Sequence, residues 1–346
     1  MRVPRLAATA CWRRGDLQRW RGMLGVIVAL TVGGFIGSES GAGQHTSPVL
    51  IGALTEAWGP TPVIIGLRNG LVELGYRENE HFVIGIRFTQ GDPDPTKLES
   101  AARELVRHGA HLIVTGGGPN APKAAQMATR HIPIVFMGGS DPVGAGLVKS
   151  FARPGGNITG IADLDVDLAP KRLELFRELV PGLKRVLFPY DPGEPNAAAH
   201  LAGHREAARH LGVTLIERPV RTQDEARDAL ARVHRGEVDG IFSPRSVSLN
   251  IPAFILEMTA IRAIPAMFHD SIWVDQGGLA SYSANPHHVG RHAARLVDRI
   301  IKGARPADIP VERATRFDLV INVKTAKALG LAIPPSLLLR VDRVVE

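Results

Sequence analysis

Four carboxylates and one guanidinium stand in the loops that follow short apolar runs, at positions where charged side chains could bind a small solute. The carboxylates are Glu56, Asp141, Asp191 and Asp270, and the cation is Arg245. Each apolar run is typical of a buried parallel strand, and open α/β sheets bind ligands at the carboxyl ends of their strands. Charges of both signs at one edge favour a zwitterionic or multi-hydroxyl solute held by charge-assisted hydrogen bonds.

Glycines, small polar residues and aromatic residues share these strand ends. The three glycines at 116–118 separate a predicted strand from a predicted helix, so their N–H groups could hold an anion or simply form a tight turn. Ser140 and Asp141 could contact a ligand, or Asp141 could cap its own turn. Three aromatic residues could stack on a ligand ring or belong to the core: Tyr190, Trp58 and Trp273.

The sequence carries no positive signal for catalysis. It has no G-x-S-x-G or S-x-x-K motif, and its glycine run matches neither a dinucleotide fingerprint nor a Walker A loop. His288 and His292 have the i, i+4 spacing of a zinc-binding pair, but without a third ligand they predict a solvated helix face. We therefore expect no enzyme, no metal and no cofactor.

The first 42 residues are typical of a targeting segment. A basic stretch precedes a sixteen-residue apolar run at 22–37, and small residues follow at 40–42. This order predicts a secretory signal peptide, with an uncleaved amino-terminal anchor as the alternative, although a spanning helix needs about twenty residues. The only cysteine, Cys11, precedes the run, so the sequence supports neither a lipid anchor nor a disulfide in the exported chain.

The excess of basic residues does not indicate a nucleic-acid-binding protein. The net charge is +7, and +4 of it falls within residues 1–42. The remaining +3 is spread among charges of both signs without a basic run. Recognition of nucleic acid requires a clustered basic surface, so no nucleic-acid partner is expected.

The rest of the chain consists of two similar halves. Predicted strands alternate with helices between residues 49 and 137, and the alternation restarts at residue 169. At 346 residues the chain is also long for a single core. The predicted fold class is α/β, with two doubly wound parallel-sheet lobes.

Glycine-rich turns mark places where the chain could cross between these lobes. We expect lobe 1 to contain residues 48–157 and about 283–305, and lobe 2 to contain residues 158–282 and about 306–346. A third crossing is expected near residues 304–310, and three connections would form a hinge that allows closure around a ligand. The predicted hinge residues are Pro154, Gly155, Gly156, Gly277 and Gly278.

Five stretches of the sequence carry a family resemblance: residues 140–148, 152–160, 171–175, 317–331 and 333–340. Together they resemble ABC-transporter substrate-binding proteins of the tryptophan/tyrosine-uptake type, and the resemblance extends over roughly residues 48–346. It implies a type I periplasmic binding protein fold, in which two α/β lobes joined by a three-segment hinge close on a small solute.

The resemblance also implies which loops contact the ligand. With Tyr190 added from its position after a strand, the predicted ligand-binding residues are Thr55, Glu56, Gly117, Gly118, Ser140, Asp141, Tyr190, Asp191, Asn196, Ser243, Arg245 and Asp270. The sequence departs from the usual family pattern at 190–191 and at 274–278, so tryptophan is not assigned as the ligand.

The function expected from these observations is that of a solute-binding protein of an ABC importer. It would be periplasmic or otherwise extracytoplasmic, act as a monomer, bind an amino acid or a related compound and deliver it to a membrane permease. The alternative is a periplasmic sensory module that signals ligand occupancy to a membrane sensor. An α/β enzyme is a third class, which would require turnover of a bound ligand.

Overall fold

The computed structural model describes residues 47–346 except 57–60, 90–93, 119, 140, 195–196 and 247–248. The predicted signal peptide or anchor lies outside the described residues. Within the described ranges, no helix combines the length and the apolar character that crossing a membrane requires.

Two β-sheets organise the described chain. In chain order the strands are β1 (Val49–Thr55), β2 (Phe82–Phe88), β3 (Leu112–Gly116), β4 (Ile134–Met137), β5 (Ile158–Ala162), β6 (Arg185–Tyr190), β7 (Thr214–Pro219), β8 (Gly240–Phe242), β9 (Ala266–Phe268), β10 (Ala280–Ala284), β11 (Glu312–Arg313), β12 (Phe317–Asn322) and β13 (Arg343–Val345). The first sheet has the order β11-β5-β4-β3-β1-β2, and the second has the order β13-β12-β10-β9-β8-β6-β7. Neighbouring strands run parallel except for β10 and β12, which are antiparallel.

Helices cover both sheets. They are α1 (Pro62–Glu73), α2 (Pro95–Arg107), α3 (Asn120–Ala128), α4 (Ala169–Leu179), α5 (Ala197–His210), α6 (Gln223–Ala231), α7 (Ile251–Arg262), α8 (Ile272–Asp275), α9 (Pro286–Ile301), α10 (Val323–Ala328) and α11 (Pro335–Leu338). Polar side chains cap several amino termini: Asp94 accepts from the Thr96 N–H, and Asn285 accepts from the His288 N–H.

The cores lie between these layers. Two buried clusters contain strand residues of the first sheet, and two others contain strand residues of the second. The central strands β3, β4, β5, β8 and β9 are buried along their whole length. This burial on both faces explains why their sequences are continuous apolar runs rather than alternating ones. The architecture confirms the predicted α/β fold class with two parallel-dominated sheets.

Helices α1 and α9 approach each other unusually closely. A Cβ added at Gly290 of α9 would lie 1.8 Å from the Val63 carbonyl oxygen, and one added at Gly66 of α1 would lie 2.0 Å from the His287 carbonyl oxygen. Only glycine permits this backbone-to-backbone contact. It holds α9, a late part of the chain, over β4 and β5 of the first sheet.

The chain passes from one sheet to the other at positions that differ partly from those predicted. Because β5 lies in the first sheet, the chain leaves that sheet after Ala162, and not at Pro154, Gly155 and Gly156. The left-handed φ values of Gly155 and Gly156, +70° and +75°, instead form the turn that leads into β5. The glycines were thus correctly interpreted as a turn but wrongly as a crossing.

The other crossings follow from the same sheet memberships. The second lies between β10 and α9, close to the predicted position of 283, whereas Gly277 and Gly278 lie within the second half, before β10. A Cβ at Gly278 would approach the Phe268 ring at 2.7 Å, so close packing explains that glycine. The third crossing lies at residues 314–316, since β11 belongs to the first sheet and β12 to the second. The predicted crossing at 304–310 is therefore too early.

Candidate functional site

Charged residues from both sheets meet where the parallel strands end. Arg245, which follows β8, pairs with Asp163, which follows β5, at an Nη1–Oδ2 distance of 2.5 Å. Asp163 is buried, and its Oδ2 atom also accepts a hydrogen bond of 3.0 Å from the Gly139 N–H. This ion pair connects the two sheets directly, beside the first crossing of the chain.

A second buried ion pair lies next to the first. Arg172 of α4 is 1% exposed and donates to Asp165 at 2.7 Å. Its Nε atom also donates to the Tyr282 carbonyl oxygen at 2.9 Å. Burial alone would raise the pKa of Asp165, but the nearby Arg172 and Arg245 outweigh it and lower that pKa. Asp165 is therefore ionised, and the hydrogen bond from Arg172 to the Tyr282 carbonyl oxygen fixes α4 against β10.

Glu56 occupies a different electrostatic environment at the end of β1. Its carboxyl group interacts with the Asn120 side chain and with the Ala121 backbone at the start of α3, yet Oε1 is buried without a hydrogen-bond partner. Burial, followed by the charge of Glu194, raises the pKa of Glu56 from its ordinary value of 4.5 to about 7. A substantial fraction of Glu56 is therefore neutral near pH 7.

A pocket opens beside Arg245 at the ends of β6 and β8. It encloses about 410 Å³, including its opening to solvent. Its lining residues are Asp165, Arg172, Phe188, Tyr190, Asp191, Glu194, Ala197, His200, His204, Ser243, Pro244 and Arg245. Four of the predicted ligand-binding residues thus line one pocket, namely Tyr190, Asp191, Ser243 and Arg245.

The pocket also has an aromatic wall. The rings of Phe188 and His204 stack at a centroid distance of 4.4 Å, and Phe188 stacks on Tyr190 at 5.9 Å. Burial lowers the pKa of His204 to about 4, so its imidazole is neutral and acts as a flat, weakly polar surface. Burial also lowers the pKa of the neighbouring His200. This part of the pocket is suited to an apolar or aromatic portion of a ligand.

Several other predicted ligand-binding residues that the structure describes lie at strand ends and are not among the residues that line this pocket. Thr55 is the last residue of β1 and Glu56 follows it, whereas Gly117 and Gly118 follow β3. A Cβ built on Gly138 would lie 3.3 Å from the Gly117 carbonyl oxygen. Asp270 accepts from the Ile272 N–H at 3.0 Å, and burial raises its pKa. Ser140 and Asn196 lie outside the described residues, as does Trp58.

Two predicted carboxylates stabilise their own turns. Asp141 accepts from the Gly144 N–H at 2.8 Å, and Asp191 accepts from the Gly193 N–H at 2.7 Å. Asp141 also acts electrostatically on His200 of the second half. The interpretation of Asp141 as a turn cap is therefore correct, and it is compatible with a position facing the cleft. Trp273 packs on Phe268 at 6.3 Å, as expected of a core residue.

Several residues of this site were missed in the sequence. Asp163 directly follows the apolar strand β5, so the rule that selected Asp141 and Asp191 would have found it. The predicted crossing between residues 157 and 158 places this segment in lobe 2, and so it predicts no strand of the first sheet before Asp163. His200 and His204 have helical i, i+4 spacing on α5, but nothing in the sequence distinguishes this face from a solvated one.

The predicted solvated face at His288 and His292 is wrong for His292. This side chain is buried, and its Nε2 atom contacts Glu312 of β11. Its position on the inner face of α9 buries it against the first sheet. Among the described residues, no group of three His, Cys, Asp or Glu side chains could hold a metal ion.

Comparisons with known proteins point to one family. A family model described as ABC transporter substrate binding protein matches residues 56–345. A tyrosine-binding protein of Clostridioides difficile (strain R20291) is 29% identical over 268 residues, which are 77% of this chain and 76% of that protein.

Solved structures give the same result. The ABC domain from Streptococcus pneumoniae in complex with L-Trp is 27% identical, with a TM-score of 0.75 over 86% of this chain and 100% of that one. The ligand-free, open structure of a substrate-binding protein with adhesive properties from Clostridium difficile is 25% identical, with a TM-score of 0.62 over 86% of this chain and 99% of that one.

Proposed function

Because this chain belongs to the ABC transporter substrate-binding protein family, we propose that it binds an amino acid or a related zwitterion between its two sheets and delivers it to a membrane permease. Proteins of this family bind substrates and are not enzymes. Transport therefore depends on capture and release of an unchanged solute.

The observation that carries this proposal is that two buried polar atoms, one donor and one acceptor, lack hydrogen-bond partners. The Nε atom of Arg245 and the Oε1 atom of Glu56 are both buried and lack a hydrogen-bond partner. Unsatisfied buried polar atoms cost about 1–3 kcal/mol each, so such atoms mark places where a ligand restores hydrogen bonds. A carboxylate suits the guanidinium, and an amino group suits the carboxyl group.

The aromatic wall supports a ligand with an apolar side chain. Phe188, Tyr190 and His204 form a stacked surface beside Arg245. The relatives named above include one called a tyrosine-binding protein and one solved with L-Trp. L-Tyrosine and L-tryptophan are therefore the first compounds to test, together with smaller amino acids.

The remaining parts of the proposal concern location and partners. Substrate-binding proteins of this family are typically extracytoplasmic. We propose that residues 1–42 direct export, that the chain is a monomer, and that the ABC permease recognises its ligand-bound form. The charge pattern at the amino terminus supports export.

Thermal unfolding of the purified protein with single amino acids tests the binding step. A ligand at one hundred times its Kd stabilises the folded state by about 2.7 kcal/mol, and the shift grows with ligand concentration. Tyr190→Ala should reduce the shift because it removes part of the pocket wall. Ile261→Ala is the matched control, since Ile261 is 64% exposed and is not one of the residues that line the pocket.

The outcome separates binding from transport. If no amino acid or related zwitterion shifts the midpoint, the proposed ligand class is wrong. If a ligand is found, deletion of the gene should reduce cellular uptake of that compound at low concentration. Unchanged uptake with altered gene expression would instead support the sensory alternative.

A further inference from the structure

The imidazole ring of His204, on α5, has a tautomer that is fixed by its contacts. Its Nδ1 atom lies 2.6 Å from the His200 carbonyl oxygen, one helical turn earlier. A carbonyl oxygen can only accept a hydrogen bond, so Nδ1 carries a proton and donates it. Burial lowers the pKa of His204 to about 4, and the ring therefore holds no second proton near neutral pH. Its Nε2 atom is thus a hydrogen-bond acceptor.

The neighbours of His204 hold the ring in one orientation. Phe188 stacks on it at a centroid distance of 4.4 Å, and Phe242 packs edge to face against it at 5.1 Å. His204 is only 5% exposed, yet it lines the pocket beside Arg245. Because Nδ1 is directed at the helix backbone and two aromatic rings pack against the imidazole, the ring edge that carries Nε2 is the part left to the pocket.

No described residue donates a hydrogen bond to this nitrogen atom. The pocket lining contains two guanidinium groups, and both already bind carboxylates. Arg172 donates to Asp165 at 2.7 Å, and Arg245 pairs with Asp163 at 2.5 Å. The lone pair of Nε2 therefore remains available to a group that enters the pocket.

A fixed acceptor in the wall of a pocket discriminates between ligands by what they donate. Water can donate to such an acceptor, but a ligand ring that lies against the wall displaces this water. A ring that bears an O–H or N–H group restores the hydrogen bond, whereas a ring with C–H groups alone leaves the acceptor unsatisfied. The stacked rings of Phe188 and Tyr190 favour a flat aromatic group in this position.

We propose that His204 selects the side chain of the solute, by accepting at Nε2 a hydrogen bond from an aromatic ring that carries a hydroxyl or N–H group. The inference rests on the proposed function, because it assumes that an amino acid or a related zwitterion binds beside Arg245. It adds the substituent that this ligand carries. A phenol, an aniline or an indole is accepted, and a plain phenyl ring is disfavoured.

Isothermal titration calorimetry of the purified protein with matched ligands measures this preference. L-Tyrosine and para-amino-L-phenylalanine have a donor at the end of the ring, whereas L-phenylalanine and para-fluoro-L-phenylalanine have none. L-Tryptophan is compared in the same way with tryptophan methylated on its indole nitrogen. In each pair that binds, the donor-bearing compound should bind about 5- to 100-fold more tightly, because its counterpart leaves a buried acceptor unsatisfied.

Replacing His204 with phenylalanine removes the acceptor and keeps a flat ring in the wall. His204→Phe should lower the affinity for L-tyrosine to that for L-phenylalanine, while the affinity for L-phenylalanine itself stays nearly unchanged. A general loss of packing would weaken both ligands alike. His210→Phe is the matched control, because His210 lies exposed on the same helix beside Glu206, and it should behave like the wild type.

NMR spectroscopy of the wild-type protein keeps the inference testable if His204→Phe folds poorly. Isotopic labelling of the histidine rings distinguishes protonated from unprotonated nitrogen atoms. After assignment through the backbone, His204 should show a protonated Nδ1 and an unprotonated Nε2. Binding of a donor-bearing ligand should shift the Nε2 resonance and leave the proton on Nδ1.

Each outcome leads to one conclusion. A preference for donor-bearing ligands that disappears in His204→Phe supports the inference. Equal affinity within a pair, a preference that persists in His204→Phe, or a protonated Nε2 overturns the inference and leaves the proposed function intact. Binding that is restricted to amino acids without a ring has the same meaning. If no amino acid binds, the proposed ligand class is wrong, and this inference fails with it.

Discussion

Replacing Glu56 with glutamine tests whether the ligand-free protein is destabilised by ionisation of a buried carboxyl group. The pKa of Glu56 rises from 4.5 to about 7 on folding, chiefly because the group is buried and secondly because Glu194 repels it. A carboxyl pKa that is raised by folding contributes stability that is complete below the unfolded value and is lost as the pH rises through the folded value. Glutamine is neutral throughout and lacks this loss.

The magnitude follows from the size of the shift. One pKa unit corresponds to 1.36 kcal/mol, so the full shift is worth on the order of 3 kcal/mol. Most of this develops between pH 5 and pH 8. Over that interval the free energy of unfolding of Glu56→Gln should rise by about 2 to 3 kcal/mol relative to that of the wild type.

Urea denaturation at a series of pH values measures this difference. Effects of other titrating groups cancel when the two proteins are compared at the same pH, and Glu206→Gln controls for removal of an exposed carboxylate. A stability difference that stays constant from pH 5 to pH 8 would refute the reasoning, since it would show that Glu56 is ionised at an ordinary pH in the folded chain.

Two further predictions concern the fold. Arg172→Met should lower the free energy of unfolding by about 3–5 kcal/mol because it leaves Asp165 buried and ionised, and adding Asp165→Asn should recover much of this loss in the same urea assay. If the double variant recovers no stability, the lost hydrogen bond from Arg172 to the Tyr282 carbonyl oxygen contributes more to the free energy of unfolding than the unpaired charge of Asp165. Gly290→Ala should cost more than about 3 kcal/mol despite the better helix propensity of alanine, because its Cβ would lie 1.8 Å from a carbonyl oxygen. Gly118→Ala is the control, because a Cβ added at Gly118 has no other heavy atom within 4 Å. Equal thermal midpoints of unfolding for Gly290→Ala and Gly118→Ala would contradict the predicted clash.

The strands and their ligand-facing ends could be predicted because both depend on local sequence. A fully buried parallel strand requires a continuous apolar run, and its end is marked by the first polar residue. This sequence pattern correctly predicts that Glu56, Asp191 and Arg245 follow β1, β6 and β8, respectively. The same logic extended to Asp163 would have completed the ion pair that joins the sheets.

The crossings and the buried charges could not be predicted in the same way. A glycine pair such as Gly155-Gly156 permits left-handed backbone conformations wherever they are needed, and a turn within one sheet uses them as readily as a connection between lobes. Arg172 and His292 stand on helices among other charged residues, and their burial depends on which helix face contacts a sheet. Those contacts are made by residues far apart in the sequence.

The packing of α9 and β11 on the first sheet has a consequence for the order in which the protein can fold. These elements begin at residue 286, yet they cover and extend a sheet whose other strands end at residue 162. A growing chain that lacks residues 286–346 leaves the apolar faces of β4, β5 and α1 without their partner helix. Contacts of such long sequence separation form slowly, because loop closure precedes the gain from burial. The first lobe therefore reaches its finished tertiary structure only after residues 286–313 have been synthesised.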